Sequence, residues 1–178
     1  MPKLRSELEA AKRPFTGDDY PSEVLLVWWH ELGKNRGAAA TLRRATDPGA
    51  VAFSPAFHRL LDGLRAAGCP LGPREADRLA AVAGLAAHVK SHTPGASLAQ
   101  QMAAAKAPGS GARVSGLRFR RLLAVAERDE LYPLLIRVIR QLGGAVNLVS
   151  LANAVFWWNE RTRTTWAYEY YAACPSEP

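Results

Sequence analysis

Apolar side chains recur three and four residues apart along most of this chain, the spacing that lines one face of an α-helix. From Ser22, a residue type suited to capping a helix start, Leu25, Trp28, Trp29 and Leu32 fall on one face and Gly33 supplies a stop. A second helix is expected from Arg36 through an alanine stretch to Ala45, ended by the turn chemistry of Asp47-Pro48-Gly49. Pro55 suits the first turn of a third, over Pro55–Ala67, with Phe57, Leu60, Leu61 and Leu64 on its buried side. Pro73 opens a fourth that continues to about Lys90, interrupted by Gly84, and a short helix from Ser97 to Lys106 follows a loop over 91–95.

Beyond residue 112 the same period resumes. Ser115 caps a helix with Phe119, Leu122, Leu123 and Ala126 on its apolar face, and the next, from Asp129 to Leu142, tolerates Pro133 because it lies in the first turn. After Gly143-Gly144, Asn147 caps a segment that is apolar almost all round (Leu148, Leu151, Val155, Phe156, Trp157, Trp158), which predicts a helix running through the middle of a bundle. A last helix, about Glu160 to Tyr171, ends the fold.

No segment alternates with period two, no Asn-Gly or Asp-Gly joins two β-rich runs, and no repeat of fixed period is visible. The fold class expected is therefore all-α, a bundle of about eight helices. Residues 1–20, with mixed charge, Pro2 and Pro14 and few large apolar groups, read as a flexible arm. The segment 107–112, containing Pro108, Gly109, Ser110 and Gly111, reads as a linker or loop between helical subdomains at 21–106 and 113–173, or as a loop within one continuous domain.

Composition narrows the class of function. With 178 residues, 48% of them hydrophobic, the chain can bury a real core. Its longest uncharged apolar run falls far short of a bilayer span and its N-terminus has no apolar signal core, so no membrane partner and a cytoplasmic location are expected. Cys69 and Cys174 are far apart, the second in a Pro-containing tail, and are read as free thiols of a reducing compartment. The net charge is +7, and because residues 1–23 hold four bases against five acids, the positive field belongs to the rest of the chain. Eighteen of the 23 basic residues are arginine, whose planar guanidinium matches phosphate oxygens and stacks on bases.

None of the familiar catalytic spacings is present: no P-loop, no G-x-S-x-G, no H-E-x-x-H and no paired-cysteine knuckles. A non-enzymatic chain needing neither cofactor nor metal is expected. His88 and His92, four apart, would form half a metal site on one helical face, but Ser91 and Pro94 end the helix there and no nearby Cys or acid completes a shell. The pairs Trp28-Trp29 and Trp157-Trp158 could stack on bases, yet adjacent helical residues point about 100° apart, and core packing explains them better.

One signal remains, the placement of arginine. Lys34, Arg36, Arg43 and Arg44 lie in a stretch without an acid, and seven arginines lie between Arg113 and Arg140 against three acids, Glu127, Asp129 and Glu130. Arg36 and Arg43 are seven apart on one stripe, Arg137 and Arg140 project together from the polar side of their helix, and Arg161 and Arg163 follow the apolar helix. A charge run is often only a solvated face. Three helices bearing arginine without balancing carboxylates instead suit a sugar-phosphate backbone, held without regard to sequence. A protein scaffold with a basic surface for an acidic partner, or a helical DNA-binding regulator, would carry the same charge; a helix-turn-helix lacks its short turn in the Arg36–Leu64 region. A nuclease built from His and carboxylates is the third alternative.

Several stretches, in order, resemble one known family. They are Arg36-Gly37-Ala38-Ala39-Ala40-Thr41-Leu42-Arg43-Arg44-Ala45 with Pro48 behind it, then Pro55-Ala56-Phe57-His58-Arg59-Leu60. Next come Val114-Ser115 leading into Arg118-Phe119-Arg120-Arg121-Leu122-Leu123, and Trp157-Trp158 through Arg161, Arg163 and Trp166-Ala167-Tyr168-Glu169-Tyr170-Tyr171. Over about residues 22 to 171 the chain looks like the CasB-type small subunit of the type I-E CRISPR Cascade surveillance complex. The N-terminal arm and the loop 91–112 carry little of the likeness.

The resemblance implies an α-helical protein present as paired copies, each beside a second copy of itself. It implies a place along a guide-RNA-bound complex, next to the backbone subunits and touching the large subunit. The implied role is to steady the guide–target hybrid and the displaced DNA strand, with no catalytic step. Carried onto this sequence, the basic positions are Arg43, Arg44, Arg113, Arg118, Arg137, Arg161 and Arg163; helical phase adds Arg36 and Arg140.

Overall fold

A computed structural model describes residues 14–17 and 19–175. Among them are ten helices: α1 (Tyr20–Lys34), α2 (Arg36–Arg44), α3 (Pro48–Val51), α4 (Pro55–Ala66), α5 (Pro73–Ala86), α6 (Leu98–Ala103), α7 (Gly116–Leu123), α8 (Arg128–Gln141), α9 (Leu148–Phe156) and α10 (Glu160–Ala173). The fold is all-α, as the sequence pattern predicts, with two two-residue strands, β1 (Ser91–His92) and β2 (Ala145–Val146), paired in parallel between helices.

Side chains capping the exposed amides of the first turn set most helix starts. Asn35 accepts from the Ala38 amide, Ser115 from Arg118, Asn147 from Ser150 and Asn159 from Thr162. Ser97 and Gln100 cap reciprocally at α6. The start of α1 differs from the sequence expectation: Asp19, not Ser22, is the cap, and its carboxylate accepts both the Ser22 amide (2.8 Å) and the Ser22 hydroxyl (2.6 Å). Pro21 fits the first turn because its missing N–H would have had no helical partner. The four-residue α3, capped by Asp47, forms where only a turn was expected. α7 stops at Leu123, so Ala126, expected on its apolar face, is exposed.

The helix at the centre is α5. Every residue from Leu79 to Ala86 is buried, and α5 packs against α2, α3, α4, α8 and α9. Sequence pattern had pointed instead to the segment after Asn147. That helix, α9, buries Leu148, Leu151, Ala152, Ala154, Val155 and Phe156 but leaves Val149, Ser150 and Asn153 half-buried. The difference is one of size. A helix ringed by neighbours must let their backbones approach closely, and α5 does so with alanine and glycine. A Cβ built on Gly84 would collide with the Tyr132 hydroxyl of α8 and come within 2.8 Å of Val51 Cγ2 on α3.

The buried side chains from Phe15 to Tyr170 form one cluster, drawn from both sides of residues 107–112. That segment is a closed loop: Ala105 and Ala112 bridge in antiparallel fashion, the Arg113 amide donates to Ala104 O (2.8 Å) and the Val114 amide to Met102 O (2.9 Å). Of the expected N-terminal arm, residues 1–13 and 18 lie outside the described residues. Phe15 belongs to the core, its ring edge-on to Phe156, and the Pro14 carbonyl accepts from Trp157 Nε1 at 2.9 Å. The reach of the fold thus extends back to Pro14.

The Tyr132 hydroxyl is buried without a hydrogen-bond partner, and burial pushes its pKa up to about 12. Gly84→Ala gains up to about 1 kcal/mol of helix propensity and incurs about 1–3 kcal/mol of overpacking, so a net loss of stability is expected. In a Tyr132→Phe background the same substitution costs less, since the nearest clashing atom is gone. Urea midpoints of the two single variants and the double variant check this coupling.

Candidate nucleic-acid interface

α2 packs on α1 and α5 through Ala39 and Leu42, and this one-sided burial turns Arg36, Arg43 and Arg44 to solvent. Between α2 and the end of α5 runs a groove of about 490 Å³, lined by Trp29, Leu32, Arg36, Arg43, Ala86 and Val89 among others. α8 buries Leu131, Leu135, Val138 and Ile139, so Arg137 and Arg140 are exposed three residues apart, as helical phase predicted.

His88, just past the end of α5, links the two sets. Burial first, then the charges of Arg140 and Arg43, hold its imidazole below the usual histidine range. Arg43 of α2 and Arg140 of α8 thus both bear on the imidazole of His88, whose Nε2 is buried. Around the C-terminal end of α8 two more predicted residues gather. Arg113 Nη2 donates to the Leu142 carbonyl (3.0 Å), Arg118 Nη1 donates to Gln141 Oε1 (3.2 Å), and Gln141 Nε2 donates to the Arg113 carbonyl.

The remaining pair sits elsewhere. Arg163 Nη1 donates to Leu123 O at the end of α7 (3.1 Å), while its Nε is buried without a partner; Arg161, in the first turn of α10, is exposed. Arg128, in the first turn of α8, donates to Val155 O (2.7 Å) and Phe156 O (3.0 Å), and α10 starts four residues beyond Phe156. Arg161 and Arg163 thus follow the end of α9, whose last carbonyls Arg128 holds at the N-terminal end of α8.

These arginines divide by what their donors do. Arg113, Arg128 and Arg163 satisfy carbonyls left open at helix ends. Arg36, Arg43, Arg44, Arg137, Arg140 and Arg161 are exposed, and the one ion pair among the described residues is Lys34–Glu31 at 2.6 Å. Sequence reading could not separate the two kinds, because charge and spacing look alike in both. Arg120 and Arg121 of α7, also exposed, were passed over.

The sequence matches the family model described as CRISPR-associated protein Cse2 over residues 38–171, from within α2 to within α10. The chain belongs to this Cse2 family. Two solved structures are similar to the Cse2-family chain. One is CasB from Thermus thermophilus, 24% identical, covering 86% of this chain and 99% of that one, with TM-score 0.58. The other is a chain of the crystal structure of E. coli Cascade bound to a PAM-containing dsDNA target, 20% identical, covering 78% and 87%, with TM-score 0.59. At these identities the likeness is one of fold. No curated protein matches the sequence. The family match spans every predicted arginine except Arg36.

Trp28, Trp29 and Trp158 of the Cse2-family chain behave as packing groups. The indole N–H groups of Trp28, Trp29 and Trp158 donate to the carbonyls of Ala56, Val89 and Val125 at 2.8, 3.2 and 3.0 Å. His88 and His92 do not share a helical face, since α5 ends at Ala86 and His92 lies in β1, its Nδ1 accepting from the Leu148 amide at 3.1 Å. Among the described residues no three His, Cys, Asp or Glu side chains gather as a metal site, and no helix is long and apolar enough to cross a membrane.

Both histidines titrate below the ordinary value of 6.5 in the folded chain, each chiefly through burial. Between the folded and unfolded pKa values the unfolded state binds more protons, so stability is full above about pH 6.5 and falls as pH drops through that window. His88→Gln is expected to shrink the loss, leaving the share of His92. Urea midpoints at about pH 7.5 and about pH 5.5 measure it.

Proposed function

We propose that this chain is a non-catalytic subunit of a Cascade-type CRISPR surveillance complex, in which its exposed arginines steady the guide–target hybrid and the displaced DNA strand. The observation that carries this reading is that Arg36, Arg43 and Arg44 of α2 and Arg137 and Arg140 of α8 are all exposed, with no carboxylate in ion-pair contact with any of them among the described residues. Such a surface repels itself until an anion arrives. A polyphosphate backbone supplies that charge, and release of its counterions drives binding.

Family membership supports the CRISPR setting, and the structure of E. coli Cascade on a DNA target supports an assembly that includes other subunits. Guide RNA, target DNA, the backbone and large subunits and a second copy of this chain are the partners proposed. R-loop formation exchanges one duplex for another of similar stability, so backbone contacts that read no sequence can tip it. Arg36, Arg43, Arg44, Arg137 and Arg140 are assigned the strand contacts, with Arg118 and Arg161 at the two ends. Arg113 and Arg163, each with a donor already spent on a carbonyl, hold loops in place and offer only their remaining N–H groups.

Affinity of the purified chain for a duplex, measured against salt concentration, tests the assignment. Arg43→Ala and Arg140→Ala are each expected to flatten the log–log salt slope by about 1, and the double variant by about 2, with the fold intact. A slope unchanged in the double variant would contradict the reading.

A further inference from the structure

α9 is apolar around most of its circumference, yet its own chain covers one face of it only in part. Val149, Ser150 and Asn153 are half-buried and line a cleft of about 570 Å³, a size ordinary for a ligand-binding cleft. Two further segments line it. One is the start of α1, with Asp19, Glu23 and Leu26 spaced four and three residues apart and hence on one stripe. The other is the turn between β1 and α6, with His92, Pro94 and Ser97.

The cleft is opposite in sign to the chain as a whole, whose net charge is +7. No lysine or arginine among the described residues lines it. Asp19 is held there as an anion. One of its oxygens accepts the Ser22 amide and hydroxyl at 2.8 and 2.6 Å, and the other accepts the Thr16 amide and hydroxyl, each at 2.7 Å. Burial opposes the charge, but these bonds outweigh it and hold the carboxyl below the usual carboxylate range. All four donors are neutral, so the negative charge is not cancelled. Glu23 is exposed and in no ion pair among the described residues. Nor does His92 offset the two acids: its Nδ1 accepts from the Leu148 amide, which a protonated Nδ1 could not do.

We propose that this cleft docks an extended, lysine- or arginine-bearing segment of a neighbouring protein subunit, with apolar stems on Leu26, Pro94 and Val149 and a cationic head against Asp19 and Glu23. Long basic side chains carry both parts, a hydrocarbon stem and a charged end. A nucleic-acid strand is repelled by the carboxylates, and a wholly apolar segment would bury them without a partner. The proposal rests on the reading above in taking the chain as one subunit among several. It gives the protein neighbours a face of their own, separate from the arginines assigned to the strands.

The test uses the full chain in its guide-RNA complex, reconstituted with the neighbouring subunits, and reads the dilution at which the chain dissociates. Glu23→Lys sets like charge in the cleft and is expected to weaken retention about ten-fold or more. Duplex affinity of the isolated variant is expected to be no weaker than wild type, which separates a lost contact from a lost fold. Asp62→Lys makes the same change of charge at an exposed position of α4 outside the cleft and is expected to be retained as the wild type is. A photo-cross-linking residue at Pro94 is expected to join a neighbouring subunit beside a lysine or arginine. Undiminished retention of Glu23→Lys overturns the proposal, as does an equal loss from Asp62→Lys. So does the absence of a cross-link, or one that falls on nucleic acid, on a second copy or on residues 1–13 of the chain itself. A wild-type chain that never enters the complex overturns the reading above as well, whereas the other adverse results leave that reading standing.

Discussion

A helix enclosed by neighbours on all sides can be approached closely only if its own side chains are small, and α5 meets that condition with alanine and glycine between Leu79 and Ala86. α2 and α8 both lie against α5, and each turns arginines to water. Neither helix would need arginine for its own stability. The positions of Arg43 and Arg140 are set by the apolar residues on the opposite sides of their helices, Leu42 in one and Val138 with Ile139 in the other.

The same residue type serves two purposes in this chain, and the difference is local geometry. Where a helix ends against another element its last carbonyls lack a helical amide partner, and Arg128 and Arg163 reach across to satisfy them, while Arg113 reaches the carbonyl of Leu142 just past the end of α8. Where a helix face is open, arginine is left with water. Burial first, and then the like charges of Arg140 and Arg43, hold the titration of His88 below the usual histidine range. In the proposed reading, a ligand that brings negative charge relieves this repulsion.

Much of the architecture was legible in the residues. Asn147 and Ser115 are caps because a short polar side chain followed by an apolar helical stripe has few other uses, and both start helices where expected. The family was legible too, from short arginine and aromatic stretches in a fixed order. Centrality was misjudged because hydropathy weights Trp, Phe and Leu above alanine, whereas enclosure depends on small volume. The Pro-Gly-Ser-Gly loop over 107–112 looked open because its bridge between Ala105 and Ala112 is made by backbone atoms, on which side-chain pattern is silent. The division of the arginines was illegible for a related reason: whether a guanidinium finds a carbonyl depends on helices distant in sequence, as Arg163 and Leu123 show.

The central claim, that the exposed arginines of α2 and α8 form a track for polyanions, is met most directly by arginine footprinting. A dicarbonyl reagent would be applied to the chain within its guide-RNA complex, with and without target DNA. The account predicts that Arg43 and Arg140 lose reactivity on target binding while Arg128, committed to the carbonyls of Val155 and Phe156, stays unreactive throughout. Equal modification of Arg43 and Arg140 in the two states would contradict it.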